Sequence, residues 1–165
     1  MAPTEWVLLA YRLPREPSTP RITLWRHLRR LGAVQVVDGL VALPADPKTV
    51  EAFDWLADDV LHAGGEAWTW QGRPGTKAQE QALRQRMTAS IVDEYKALLA
   101  EARTGDGSRR TLDRLRRELH RIEERDYFHP KEREAARRAV EKLVLTAGSR
   151  RIRRDPAVKS AGGGR

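Results

Sequence analysis

The chain contains no cysteine. That excludes disulfide scaffolds, thiolate zinc sites, iron–sulfur clusters and cysteine nucleophiles. No apolar run approaches the roughly 18 residues that a membrane span needs. Met1-Ala2-Pro3-Thr4-Glu5 leads straight into an apolar segment, without the basic stretch and small-residue cleavage site of a secretory signal. A soluble, cytoplasmic protein with no membrane partner is the expectation. Serine is scarce, at positions 18, 90, 108, 149 and 160 only, and none stands in a G-x-S-x-G or S-x-x-K context. No glycine-rich phosphate loop follows a strand, and Gly162-Gly163-Gly164 is terminal low complexity. The adjacent acids Asp58-Asp59 and Glu123-Glu124 point to different helix faces, as ordinary surface charges do. These absences argue against an enzyme and against a cofactor.

What is present is unevenly placed. The 165 residues carry 31 Lys+Arg and 23 Asp+Glu, a net charge of +8. Residues 1–75 hold eight basic and nine acidic residues, net −1, which leaves 23 basic and 14 acidic in residues 76–165, net +9. All five tryptophans, Trp6, Trp25, Trp55, Trp68 and Trp70, lie in the neutral part. The shift falls at Gln71-Gly72-Arg73-Pro74-Gly75, a linker composition.

The neutral part patterns as β-α-β-β-α-β. Trp6–Tyr11 is a short apolar run suited to a buried strand. Ser18 or Thr19 is placed to cap a helix with Pro20 at its first position, Ile22, Trp25, Leu28 and Leu31 on its inner face, and Gly32 as its stop. Residues 33–37 and 40–43 flank Asp38-Gly39, a strong hairpin signal. Asp46 caps a second helix bearing Val50, Phe53, Ala57, Val60 and Leu61 at helical spacing, ended by Gly64-Gly65. Residues 66–70 form the last strand, with Trp68 and Trp70 on one side of it, expected in the core or at a dimer surface. The expected class is α+β, a ferredoxin-like sandwich over residues 4–71.

Three helices are expected in residues 76–147. Leu83, Met87, Ile91, Tyr95, Leu98 and Ala102 recur over residues 76–103, a face expected to dock on the sandwich or a partner. Leu112, Leu115, Leu119 and Ile122 make a narrow seam over residues 108–125. Ala136, Val140 and Leu143 mark a helix from Lys131 to Ala147, stopped by Gly148. Residues 148–165 are expected to be a disordered basic tail.

Candidate sites follow from charge placement. Arg110, Arg114, Arg117, Arg121 and Arg125 step by four, three, four and four opposite the leucine seam, flanked by Arg109 and Arg116. Several cations in one row suit a polyanion. Glu118, Glu123, Glu124 and acids of a neighbouring helix would instead make the row an ordinary solvated face, and arginine-rich composition is also what a GC-rich genome writes. DNA contact is assigned to Arg110, Arg114, Arg117 and Arg121, extended by Arg137 and Arg138, with Arg150, Arg151, Arg153 and Arg154 of the tail adding charge. The four histidines, at 27, 62, 120 and 129, offer only the pairs Asp59/His62 and Asp126/His129 in separate modules, so no metal site is expected.

Four segments carry a resemblance in order along the chain: Trp6-Val7-Leu8-Leu9 with Tyr11-Arg12-Leu13-Pro14; Trp25-Arg26-His27-Leu28-Arg29-Arg30-Leu31-Gly32-Ala33; Asp38-Gly39-Leu40-Val41-Ala42-Leu43-Pro44; and Arg121-Ile122-Glu123-Glu124-Arg125-Asp126-Tyr127-Phe128. Together, over residues 5–145, they resemble the N-terminal domain family of the chromate resistance protein ChrB. The resemblance implies a cytoplasmic, chromate-responsive regulator of a chromate efflux operon. The charge of the arginine row would attract DNA and also the chromate oxyanion, a small dianion, so that the two partners compete for one row; a homodimer is the form expected from the tryptophan-bearing strand. Longer members carry a further C-terminal domain. The open alternative is a partner or scaffold module of the same system that does not bind DNA. A more distant likeness is to the ferredoxin-like domain of PaaX-type repressors and small CRISPR-associated nucleases. Arg12 stands where those nucleases place a metal-binding Asp, which removes the nuclease reading.

Overall fold

The computed structural model describes residues 4–154. Among them the chain runs β1 (Trp6–Arg12), α1 (Thr19–Leu31), β2 (Val34–Val37), β3 (Leu40–Pro44), α2 (Pro47–His62), β4 (Glu66–Gly72), α3 (Lys77–Thr104), α4 (Arg109–Glu123) and α5 (Glu132–Arg154). The class is α+β, with one four-stranded antiparallel sheet and five helices. The sheet order is β2-β3-β1-β4. The link from β1 to β2 through α1 therefore passes β3, and the link from β3 to β4 through α2 passes β1.

Contacts divide the chain into two compact units. One holds the residues up to Ile91 with Glu124–Phe128, and the other holds Val92–Glu123 with the chain from His129 onward. The division falls inside α3.

In the first unit, Val7 and Leu9 of β1 and Val41 and Leu43 of β3 are buried with Leu24 and Leu28 of α1 and Phe53, Leu56 and Val60 of α2. Directly paired residues share a face, so Leu8 and Ala10 lie on the opposite side with their partners Trp70 and Trp68. The first half of α3, through Leu83 and Met87, and the returning segment, through Tyr127 and Phe128, pack against the same core as Trp6, Val34 and Ala42. Phe128 lies 6.2 Å from the Trp6 ring, and Arg84 stacks on Phe128 at 4.5 Å. Arg12 forks both oxygens of Glu66 across the β1–β4 pair at 2.9 Å.

Local chemistry accounts for the boundaries. At the hairpin, Gly39 has φ +73 and its carbonyl accepts from Tyr11 N–H at 2.7 Å; a Cβ there would stand 2.7 Å from the Tyr11 oxygen. Gly32 ends α1 in the left-handed region, against Arg125. The Asp46 carboxylate accepts from Thr49 N–H at 2.8 Å, while the Thr49 hydroxyl accepts from Asp46 N–H at 2.9 Å, a reciprocal cap.

Several expectations are corrected. Ser18 is the N-cap of α1, but neither Ser18 nor Thr19 makes a side-chain cap; Pro20 alone marks the start. The inner face of α1 is Leu24 and Leu28, with Ile22 and Trp25 about half exposed. Leu24, Leu28 and Leu31 line up four and three apart, and that row takes the core side. Trp25 instead covers itself with the Arg29 guanidinium, 4.8 Å from the ring. On α2, Leu56 is buried and Leu61 is turned out. Trp68 and Trp70 are 65% and 57% exposed, so they are not core of this chain. Alternation on β4 sends Thr69 toward α2, where its hydroxyl bonds Asp54, and both indoles the other way. Finally, α5 passes Gly148 and continues to Arg154. One exposed glycine in a helix costs only about 1 kcal/mol, and the arginines that follow it are good helix formers. Of the disordered tail expected at 148–165, residues 148–154 are instead helical, and 155–165 lie outside the described residues.

In the second unit, Tyr95, Leu98 and Ala102 of α3, Leu115 and Ile122 of α4, and Ala136 and Val140 of α5 are buried. Ser108 starts α4 by accepting from Thr111 N–H, and Asp106 accepts from Ser108 N–H.

Candidate nucleic-acid interface

The arginine row belongs to α4. Its apolar seam is committed to packing, since Leu115 and Ile122 are essentially fully buried and Leu112 and Leu119 half-buried. Helical spacing therefore sends Arg110, Arg114, Arg117 and Arg121 outward on the opposite side, and all are exposed. Arg125 does not continue the row. The helix ends at Glu123, and Arg125 packs beside Gly32 in the first unit.

The row is partly neutralised. Arg114 meets Glu101 of α3 at 2.6 Å, and Arg121 meets Glu118 at 3.1 Å. Arg110 and Arg117 have no carboxylate partner among the described residues. On the flank, Arg109 reaches Asp113 at 3.9 Å. Each of these pairs is solvent-exposed, so each holds its geometry only weakly. Of the three acids named from sequence, Glu118 meets the row and Glu123 pairs instead with α5; Glu101 is one of the expected neighbouring-helix acids, though spacing within α4 does not say which.

The two α5 residues divide. Arg137 is held by Glu123 at 2.7 Å, and Arg133 meets the same oxygen at 3.5 Å, so Arg137 ties α4 to α5. Arg138 lies in a groove of about 580 Å³ between the end of α3 and α5, together with Arg103 and Lys142. Among the described residues no carboxylate lines this groove. Lys142 follows Arg138 by one helical turn on α5, whereas Arg103 does not stand out in sequence, because only the approach of α3 brings it beside them. Arg150, Arg151, Arg153 and Arg154 fall on the last turns of α5 by backbone.

His62 Nδ1 is 2.8 Å from the Asp58 carbonyl, and Asp126 is buried, accepting from Phe128 N–H. His129 has φ 48 and lies outside any helix. Among the described residues no three His, Asp or Glu gather as metal ligands, and no helix is long and apolar enough to cross a membrane.

One family model, described as "Protein ChrB, N-terminal", matches residues 21–108. The match ends before α4, so the arginine row lies outside it. A curated relative, "Protein ChrB" of Cupriavidus metallidurans, is 33% identical over 81 residues, which is 49% of this chain and 25% of the relative. The chain thus spans about a quarter of the length of that relative. No solved structure matches.

Proposed function

This chain belongs to the ChrB N-terminal family, and on that premise we propose that it serves chromate resistance as a DNA-associated, chromate-responsive regulatory protein. The observation that carries the DNA part is the row on α4: four arginines on one exposed side of a helix whose other side is buried. Such a row suits successive phosphates, and each phosphate contact adds roughly one unit to the slope of log K against log salt. Arg110 and Arg117 carry the most available charge. Arg114 and Arg121 must exchange Glu101 and Glu118 for phosphate, which exposed pairs do at little cost.

The fold part of the proposal is the ferredoxin-like sandwich. It is supported by the order β2-β3-β1-β4 and by the two crossovers that each skip one strand. A homodimer through Trp68 and the free edge of β4 completes it, because an exposed indole beside an unpaired strand edge is unusual on an isolated surface, and Trp70 stays uncovered. For chromate, the acid-free groove of Arg103, Arg138 and Lys142 offers three cations to a small dianion through charge-assisted hydrogen bonds.

The experiment is a mobility-shift titration of the protein on its own promoter DNA at several salt concentrations, with and without chromate. Arg110→Gln with Arg117→Gln is expected to lower the salt slope by roughly two units. Glu101→Gln frees Arg114 and is expected to tighten binding. Unchanged slope and affinity in the double variant would remove the row from the interface and return the partner-module alternative. Arg103→Gln with Lys142→Gln is expected to abolish the response to chromate while leaving chromate-free binding intact.

A further inference from the structure

A second cavity lies in the first unit, and its reading does not depend on the DNA reading. Its volume is about 430 Å³, within the range of small-molecule sites. Trp6, Leu8, Val36, Ala42 and Leu83 give it an apolar lining between the sheet and the first turns of α3, and Trp70 adds an exposed indole face. Arg73 of the linker and Arg86 of α3 bring two guanidinium groups, and no carboxylate lines the cavity. Arg86 Nη1 donates to the Gln35 carbonyl at 3.3 Å, which holds that side chain near β2 while leaving its other N–H groups unused by that bond. Arg73 has no ion-pair partner among the described residues. Trp6 is 1% exposed and its ring forms part of the cavity wall, so its indole signal reports on what enters.

We propose that this cavity binds a small, flat, apolar molecule carrying one carboxylate or comparable oxyanion. The apolar floor and Trp70 take the flat body, and indole faces favour such stacking. The arginines take the oxyanion, for which a planar fork of N–H donors is suited.

The test uses the full chain and 2-naphthoate as the probe. Indole N–H signals are followed by two-dimensional NMR and assigned with Trp6→Phe and Trp70→Phe. The Trp6 and Trp70 signals are expected to shift saturably. Arg73→Gln with Arg86→Gln is expected to raise Kd at least tenfold, as is replacing the probe by neutral 2-naphthamide. Unmoved Trp25 and Trp55 signals verify the fold of the double variant; should it fail to fold, Gln79→Glu puts a negative charge on the exposed rim and is expected to weaken binding similarly. No saturable Trp6 shift up to about 10 mM probe overturns the proposal. So does equal affinity for 2-naphthamide, and so does a shift of Trp68 and Trp70 with Trp6 unmoved, which marks adsorption to the exposed strand face.

Discussion

Tyr127 shows how one side chain fastens a returning segment. Its hydroxyl donates to the Leu31 carbonyl at 2.7 Å, filling one of the acceptors that the end of α1 leaves open. Burial, and secondarily the negative charge of Asp46, push its pKa up to about 12. The raised value means that the folded state holds the proton more tightly than the unfolded chain, whose tyrosine titrates near 10. The stabilisation is thus complete below about pH 10 and is lost as pH rises toward about 12. Tyr127→Phe is expected to cost about 1 kcal/mol in urea unfolding at neutral pH. The variant should also show a flatter decline between pH 10 and 12 than the parent. Tyr127 was visible in sequence as part of a family-like segment. Its partner, 96 positions away, was not, because no spacing rule links an isolated aromatic to a particular carbonyl.

Among the elements, α2 and α4 were the most legible. The Asp46-Pro47 start of α2 carried its own signal, and Thr49 completes it: 2% exposed, its hydroxyl also donates to the Pro44 carbonyl at 2.7 Å. Asp46→Ala is expected to cost about 1 kcal/mol by thermal or urea unfolding, with the sheet otherwise unchanged. On α4 the two sides should respond oppositely. Leu115 is fully buried, so Leu115→Ala is expected to cost about 3 kcal/mol. Arg117→Gln should leave stability within about 0.5 kcal/mol, because an exposed arginine without a partner stabilises nothing. Urea titrations of the two variants side by side check this contrast. On α1 the periodicity points to Ile22, Trp25, Leu28 and Leu31 as the inner face. The choice of Leu24–Leu28 over Ile22–Trp25 was made by which row met Phe53 and Leu56 of α2, information absent from α1 itself.

For the molecule as a whole, α3 is the element that both compact units share. Its first half covers Trp6, Val34 and Ala42 through Leu83 and Met87, as part of the same core. A chain truncated after residue 75 loses that cover while retaining the exposed Trp68 and Trp70. It is expected to aggregate, as read by light scattering after size-exclusion chromatography. A soluble, monomeric fragment with a cooperative melting transition would contradict the role given to α3. At the composition break near Gly72–Gly75 the charge and aromatic content change, yet the packing continues across it, because apolar residues at helical spacing run on from Leu83 to Ala102.

The sequence by itself determined the elements. Prolines and glycines at 14, 32, 39, 44, 47 and 64 punctuate it, and the periods of two and of three to four residues between them leave little choice of strand or helix. It also determined that α4 presents arginine on one side and leucine on the other. Tertiary structure decided which apolar row of α1 is inner, that both indoles of β4 are outer, that Glu101 neutralises Arg114, and that Trp6 shares a cavity with Arg73 and Arg86. The physical reason is common to all four. Backbone geometry sets periodicity within one element, whereas partners from different elements are chosen by burial and by charge, and those depend on where distant segments meet.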